Sequence, residues 1–193
     1  MSVSYIEESS NGLEVIPINS RLMTDRIIFI DGTITAETAV SFTKQMLFLS
    51  QSDKPIRIYI NSAGGEVNAG LAIYDMIQGF RGDIQMYCVG QAFSMAAVLL
   101  AAGQNGKRFI LPHSRVMVHE VLLGGVGGSA TSISKISESI METRDMVNGI
   151  LAKHTGKTLK EINRATSFDN FMNAEEAVEF GICDKIVDII TDI

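Results

Sequence analysis

Short apolar runs alternate along this chain with longer stripes at helical spacing. Residues 26–31 read as a strand, and Thr35 as the N-cap of a helix carrying Val40, Met46, Leu47 and Phe48. Residues 56–60 form a second apolar run, which enters the turn Gly64-Gly65. Val67, Leu71, Tyr74 and Ile77 then recur at three- and four-residue intervals, which predicts one helix face. Strands are predicted near 84–89, 108–111 and 115–118, around an apolar helix over 96–102 that Gly103 stops. The stripe Ile133, Ile136, Ile140, Val147, Ile150 and Leu151 predicts a long helix ending near Gly156. Asn173 and Glu176 have capping-box spacing for a short helix that ends at Gly181. Such alternation implies parallel pairing through helical crossovers, hence an α/β fold with a largely parallel sheet.

Chemistry enters at one junction of this pattern. Gly90-Gln91-Ala92-Phe93-Ser94-Met95 leaves an apolar run and enters an apolar helix, so Ser94 sits at a strand-to-helix turn. A hydroxyl there projects from the sheet edge, and the free amides of the helix N-terminus face any oxyanion that develops beside it. Downstream, Arg115-Val116-Met117-Val118-His119 ends a strand on a histidine. A serine needs a nearby base to become a useful nucleophile, and the base needs a third group to orient it. Taken singly, each residue has an ordinary reading: Ser94 as a cap, His119 as a hydrogen-bonded core or loop histidine. Ala92 and Ala96 flank Ser94, so the Gly-x-Ser-x-Gly elbow of an esterase is absent.

Composition narrows the field. A chain of 193 residues fits one domain with a real core. A formal net charge of −6 gives no reason to expect nucleic acid or an anionic membrane as partner. Cys88 and Cys183 form no closely spaced pair, and with three histidines no metal-ligand cluster is visible. No apolar run is long enough to span a bilayer. Residues 1–11 are polar and mildly acidic, unlike a secretory signal or an Arg-rich transit peptide, which points to a cytoplasmic protein. The run Gly124-Gly125-Val126-Gly127-Gly128-Ser129 lacks the Lys-Ser/Thr of a phosphate loop and reads as a mobile loop or edge strand. His113 follows Pro112 in a loop, and His154 lies at a helix C-terminus, where an imidazolium complements the dipole.

Collinear blocks give the chain a resemblance. They are Ser20-Arg21-Leu22 with Asp25-Arg26-Ile27-Ile28-Phe29, then Ile60-Asn61-Ser62-Ala63-Gly64-Gly65 and Gly70-Leu71-Ala72-Ile73-Tyr74-Asp75. Leu99-Leu100-Ala101-Ala102-Gly103, Gly106-Lys107-Arg108-Phe109 and Ala174-Glu175-Glu176-Ala177-Val178-Glu179-Phe180-Gly181 complete the series. Over about residues 21–187 the chain resembles the ClpP family of self-compartmentalising serine peptidases.

The resemblance implies a ClpP/crotonase-like spiral of βαβ units with a protruding handle, made of a long helix and an edge strand over about 122–156. Residues 1–18 would be a flexible axial segment and 19–193 a single peptidase domain. Ser94 matches the nucleophile, His119 the general base and Asp169 the acid that orients it; Gly65 and Met95 match the two oxyanion-hole amides. Phe93, Gly124 and Gly125 fall at substrate-binding positions, and Tyr59 matches an aromatic of the surface where a partner docks. That partner is an AAA+ unfoldase, which consumes ATP and delivers unfolded polypeptide. The chemistry that the resemblance implies would need no cofactor or metal in this chain. The resemblance further implies rings of seven subunits that would stack as a tetradecamer.

The chain departs from the family pattern at several points. Ser167 and Phe168 replace the Asp-Arg pair before the acid, and Glu120 and Val121 replace Gln-Pro after the histidine. Phe93, Ala63 and Ala96 replace a small residue, a proline and a glycine. These changes leave a second reading open: a structural or regulatory ring subunit that needs a ClpP paralogue for activity. A third, an acyl-CoA enzyme of the crotonase group, is disfavoured by the short chain and by a serine–histidine–aspartate set with no use there.

Overall fold

The computed structural model describes residues 3–9, 12–122, 124–125 and 127–188. An antiparallel hairpin of β1 (Ser4–Ser9) and β2 (Gly12–Pro17) opens the chain and runs directly into α1 (Ile18–Thr24). Much of the segment expected as flexible loops is therefore paired strand. Strands and helices then alternate as predicted: β3 (Ile27–Ile34), α2 (Ala36–Leu49), β4 (Ile56–Gly65), α3 (Val67–Gly79), β5 (Ile84–Phe93) and α4 (Met95–Ala101). They continue with β6 (Arg108–Ile110), β7 (Arg115–Val118), α5 (Ala130–Thr155), α6 (Leu159–Thr166), β8 (Asn170–Met172), α7 (Ala174–Phe180) and β9 (Lys185–Ile186).

Among the described residues, β3-β4-β5-β6-β9 make a parallel path, and β7 joins the same edge of β5 beyond β6. β5 is long enough to serve both neighbours: Met86–Cys88 pair with β6, and Gln91–Phe93 with β7. Within this sheet, among the described residues, only β8 runs antiparallel, against β7.

Strand alternation sorts the two faces. Ile28, Ile30, Ile56, Ile58 and Ile60 point into the core. On the other face Phe29, Tyr59, Tyr87 and Phe109 stack in register across β3, β4, β5 and β6, with ring centroids 5.5, 4.9 and 4.9 Å apart. Tyr59 stands inside this ladder.

Three helices bury faces that differ from those predicted. In α2 the buried stripe is Ala39, Phe42, Met46 and Leu49, while Val40, Leu47 and Phe48 are exposed. α2 carries two apolar stripes, and only the one facing the sheet and α3 is covered. In α3 the buried positions are Ala69, Gly70, Ile73, Tyr74 and Ile77, while Val67 packs partly buried against the core and Leu71 is half-buried. In α5 only Val147, Asn148 and Leu151 are buried; the N-terminal half projects beyond the core, with Ile133 exposed. The edge strand expected around Gly124 and Gly125 is not formed among the described residues. No helix among the described residues is long and apolar enough to cross a membrane.

Candidate active site

Strand register brings the candidate residues together. Phe93, the last residue of β5, pairs with Met117 of parallel β7, and the Ser94 amide donates to the Met117 carbonyl at 2.8 Å. Ser94 and His119 therefore leave the same sheet edge side by side. Antiparallel β8 sets Asn170 opposite Val118, so Asp169, one residue earlier, lies opposite His119. Segments far apart in sequence meet where β5 and β7 end and β8 begins.

The turn at Ser94 is strained. Its φ of +53° and ψ of −125° are rare for a residue with a Cβ, a conformation that costs about 1–3 kcal/mol. The helix that follows anchors it: all seven residues of α4 are buried, and Ala97 and Val98 amides donate to the Ser94 carbonyl. Each fully buried Leu or Val contributes about 1.5–3 kcal/mol, more than enough to hold the turn.

Across the turn lies the glycine pair at the end of β4. A Cβ on Gly64 (φ +91°) would come within 2.7 Å of both the Phe93 carbonyl oxygen and Ser94 Cβ, and 3.1 Å of the Met95 nitrogen. A Cβ on Gly65 (φ +155°) would run into the backbone of Ile34 in β3. Buried Ser62 shapes the bend, donating to the Gly32 carbonyl at 2.5 Å and accepting from the Gly64 amide at 3.0 Å. Gly64 and Ser62 were missed by sequence reasoning; the paired glycine at a strand end was the available signal for Gly64.

His119 Nε2 lies 2.8 Å from Ser94 Oγ, and Nδ1 lies 3.3 Å from Asp169 Oδ1. The histidine side chain is 16% exposed, whereas the Asp169 side chain is 63% exposed. Beside it Phe168 is exposed too, at 83%. Met95 is the first residue of α4, and amides in a first helical turn have no acceptor within the helix. Ser94, Met95, Gly65 and His119 line one cavity of about 260 Å³. Its remaining walls include Val67, Val98, Val121, Leu122, Val147 and Leu151, so α5 closes the side away from the sheet. Such an arrangement can pass a proton from Oγ to Nε2 while an acyl group sits against backbone amides.

The other expected site residues lie elsewhere. Phe93 packs edge-on against Phe171, with centroids 5.5 Å apart, and is not among the residues that line the cavity. Its side chain alternates to the opposite face of β5. Gly124 and Gly125 lie outside the cavity as well, with open space around them. Tyr59 belongs to the aromatic ladder, stacked between Phe29 and Tyr87.

Two further groups take no part in this chemistry. His154 is not the imidazolium expected at a helix end: burial, reinforced by the Lys153 and Arg108 charges, lowers its pKa to about 4. Its Nε2 meets the Tyr74 hydroxyl at 3.1 Å. Cys88 and Cys183 are buried free thiols; burial pushes Cys88 up to about 12 and raises Cys183 as well, which suppresses thiolate chemistry. In comparison with protein-family models, residues 10–189 match the model described as Clp protease.

Proposed function

Since the chain belongs to the Clp protease family, and is thereby a peptidase of ClpP/crotonase-like fold, we propose that it is a serine endopeptidase subunit. In this reading His119 Nε2 accepts the Ser94 proton as Oγ attacks a peptide carbonyl, and Asp169 steadies the resulting imidazolium. The Met95 and Gly65 amides hold the oxyanion. His119 then protonates the leaving amine, and later activates the water that releases the acyl-enzyme. The observation that carries the reading is the 2.8 Å contact between His119 Nε2 and Ser94 Oγ at a strained, positive-φ turn.

The proposal extends to the assembly. Rings of seven subunits, stacked as a tetradecamer, would enclose the sites, and an AAA+ unfoldase would use ATP to deliver unfolded polypeptide in the cytoplasm. The chain needs no cofactor of its own in this scheme. A second reading draws on the exposure of Asp169 and Phe168. An acid this open to water orients the histidine weakly, so the chain would be a ring subunit that reaches full activity only beside a ClpP paralogue.

A β-lactone or fluorophosphonate probe, with intact mass as readout, separates the two. Labelling of the isolated assembled chain, lost in Ser94→Ala, is the expected result. Absence of labelling that appears only on mixing with a paralogue would sink the self-sufficient peptidase and favour the second reading.

A further inference from the structure

The cavity beside Ser94 and His119 is apolar on most sides, yet one carboxylate lines it among the described residues: Glu120. It directly follows His119, where β7 has already ended. Its Oε1 lies 3.4 Å from Arg144 Nη1 on α5, and the side chain is 46% exposed. Arg144 is meanwhile committed to Asp145, donating to Oδ1 through Nη2 at 2.7 Å and Nε at 3.0 Å. Two carboxylates thus share one guanidinium, and the shorter bonds go to Asp145. A long ion pair in contact with water contributes little, so Glu120 can change partners at small cost while Arg144 keeps Asp145. This trio carries one negative charge in excess at the mouth of a cavity sized for a large apolar side chain.

We propose that Glu120 is a specificity-determining residue that receives a Lys or Arg side chain of the polypeptide, within three residues of the apolar side chain held in the cavity. The assignment rests on the peptidase reading of the site. Apolar burial supplies affinity in the cavity, and the carboxylate at its rim selects among flanking residues and fixes register.

The test uses fluorescent peptides with a central leucine and a single Lys or Glu scanned through three positions on each side. Binding is read by anisotropy on the full chain carrying Ser94→Ala, alone or with Glu120→Gln or Glu120→Lys; thermal unfolding checks that each variant is folded. At one or more positions the Lys peptide is expected to bind roughly threefold to tenfold tighter than its Glu counterpart when Glu120 is present. The preference should vanish in Glu120→Gln and reverse in Glu120→Lys. A Lys-to-Glu ratio that is the same in all three proteins overturns the proposal. Cleavage of the same peptides by the chain with Ser94 intact is scored separately. Cleavage without the charge swap overturns the role of Glu120 and keeps the peptidase. The charge swap without cleavage supports Glu120 as a peptide-selecting residue and removes the catalytic reading.

Discussion

Gly64 lies against Ser94 so closely that a methyl group on the glycine would sit 2.7 Å from the serine Cβ. The end of β4 and the turn after β5 are therefore a single packed unit, and the strained serine is held from both sides. Gly64→Ala adds the clash to a φ of +91° that disfavours any Cβ. It is expected to lower stability by about 1–3 kcal/mol and to slow labelling by a serine probe at least roughly tenfold. Gly149→Ala is the control, because a Cβ there meets nothing within 4 Å and the position is helical. An unchanged labelling rate in Gly64→Ala would show that the turn does not depend on this contact.

Asp169 reaches His119 from solvent, at 3.3 Å and with 63% of its side chain exposed. A buried acid in this role is worth about 10⁴ in kcat when changed to Asn. Water already screens Asp169, so Asp169→Asn is expected to cost less, roughly 10- to 1,000-fold in kcat. The residual Asp169 contribution should also shrink as salt is raised. A loss as large as that of a buried acid, insensitive to salt, would mean that assembly covers the carboxylate.

His154 makes stability depend on pH. Its folded pKa of about 4 lies below the ordinary 6.5. Between those values the unfolded chain binds a proton that the folded chain refuses, so stability falls as pH drops from about 6.5 to 4 and levels off below. The ring is half-buried, and solvent screening reduces the effect to about 1 kcal/mol. Urea midpoints at pH 7 and pH 5 measure it. In His154→Gln the difference between them should narrow; an unaltered difference would assign it to other groups.

Arg108 binds the ends of three helices. Its guanidinium donates to Asp184 Oδ1 and Oδ2 at 2.5 and 2.9 Å, and to the carbonyls of Ala101, His154 and Gly181 at 2.9–3.2 Å. Those carbonyls lie at the C-terminal ends of α4, α5 and α7. Burial alone would raise the Asp184 pKa, but the Arg108 hydrogen bonds override it and hold the carboxyl below its usual range. Arg108→Met strands the carboxylate and is expected to cost about 3–5 kcal/mol in urea unfolding. Adding Asp184→Asn should recover part of that loss. No recovery would show that the carbonyl contacts, not the ion pair, dominate.

Much of this could be read from local sequence because the relevant forces are local. Thr35 and Asn173 accept hydrogen bonds at their helix starts, and Gly156 and Gly181 take the left-handed conformation that ends a helix. Each depends on residues within a turn or two. The face a helix buries is different. α2 offers two apolar stripes, and nothing within the helix tells Phe42 and Leu49 from Val40 and Leu47; the sheet and α3 choose. Likewise the partner of Phe93, which packs edge-on against Phe171 of β8, is a long-range contact that nothing in the local sequence specifies.

The sequence by itself determined which groups were available: a serine at a strand-to-helix turn, a histidine ending a strand, an acid, and glycines where backbone must come close. Short-range sterics and hydrogen bonding decide such features. Only the tertiary structure decided that Phe93 pairs with Met117 and Val118 with Asn170, and so brought Ser94, His119 and Asp169 to one edge. It also set Glu120 beside Arg144 and left Asp169 open to water. Register and burial are won by long-range pairing against chain entropy, and no single segment carries that information.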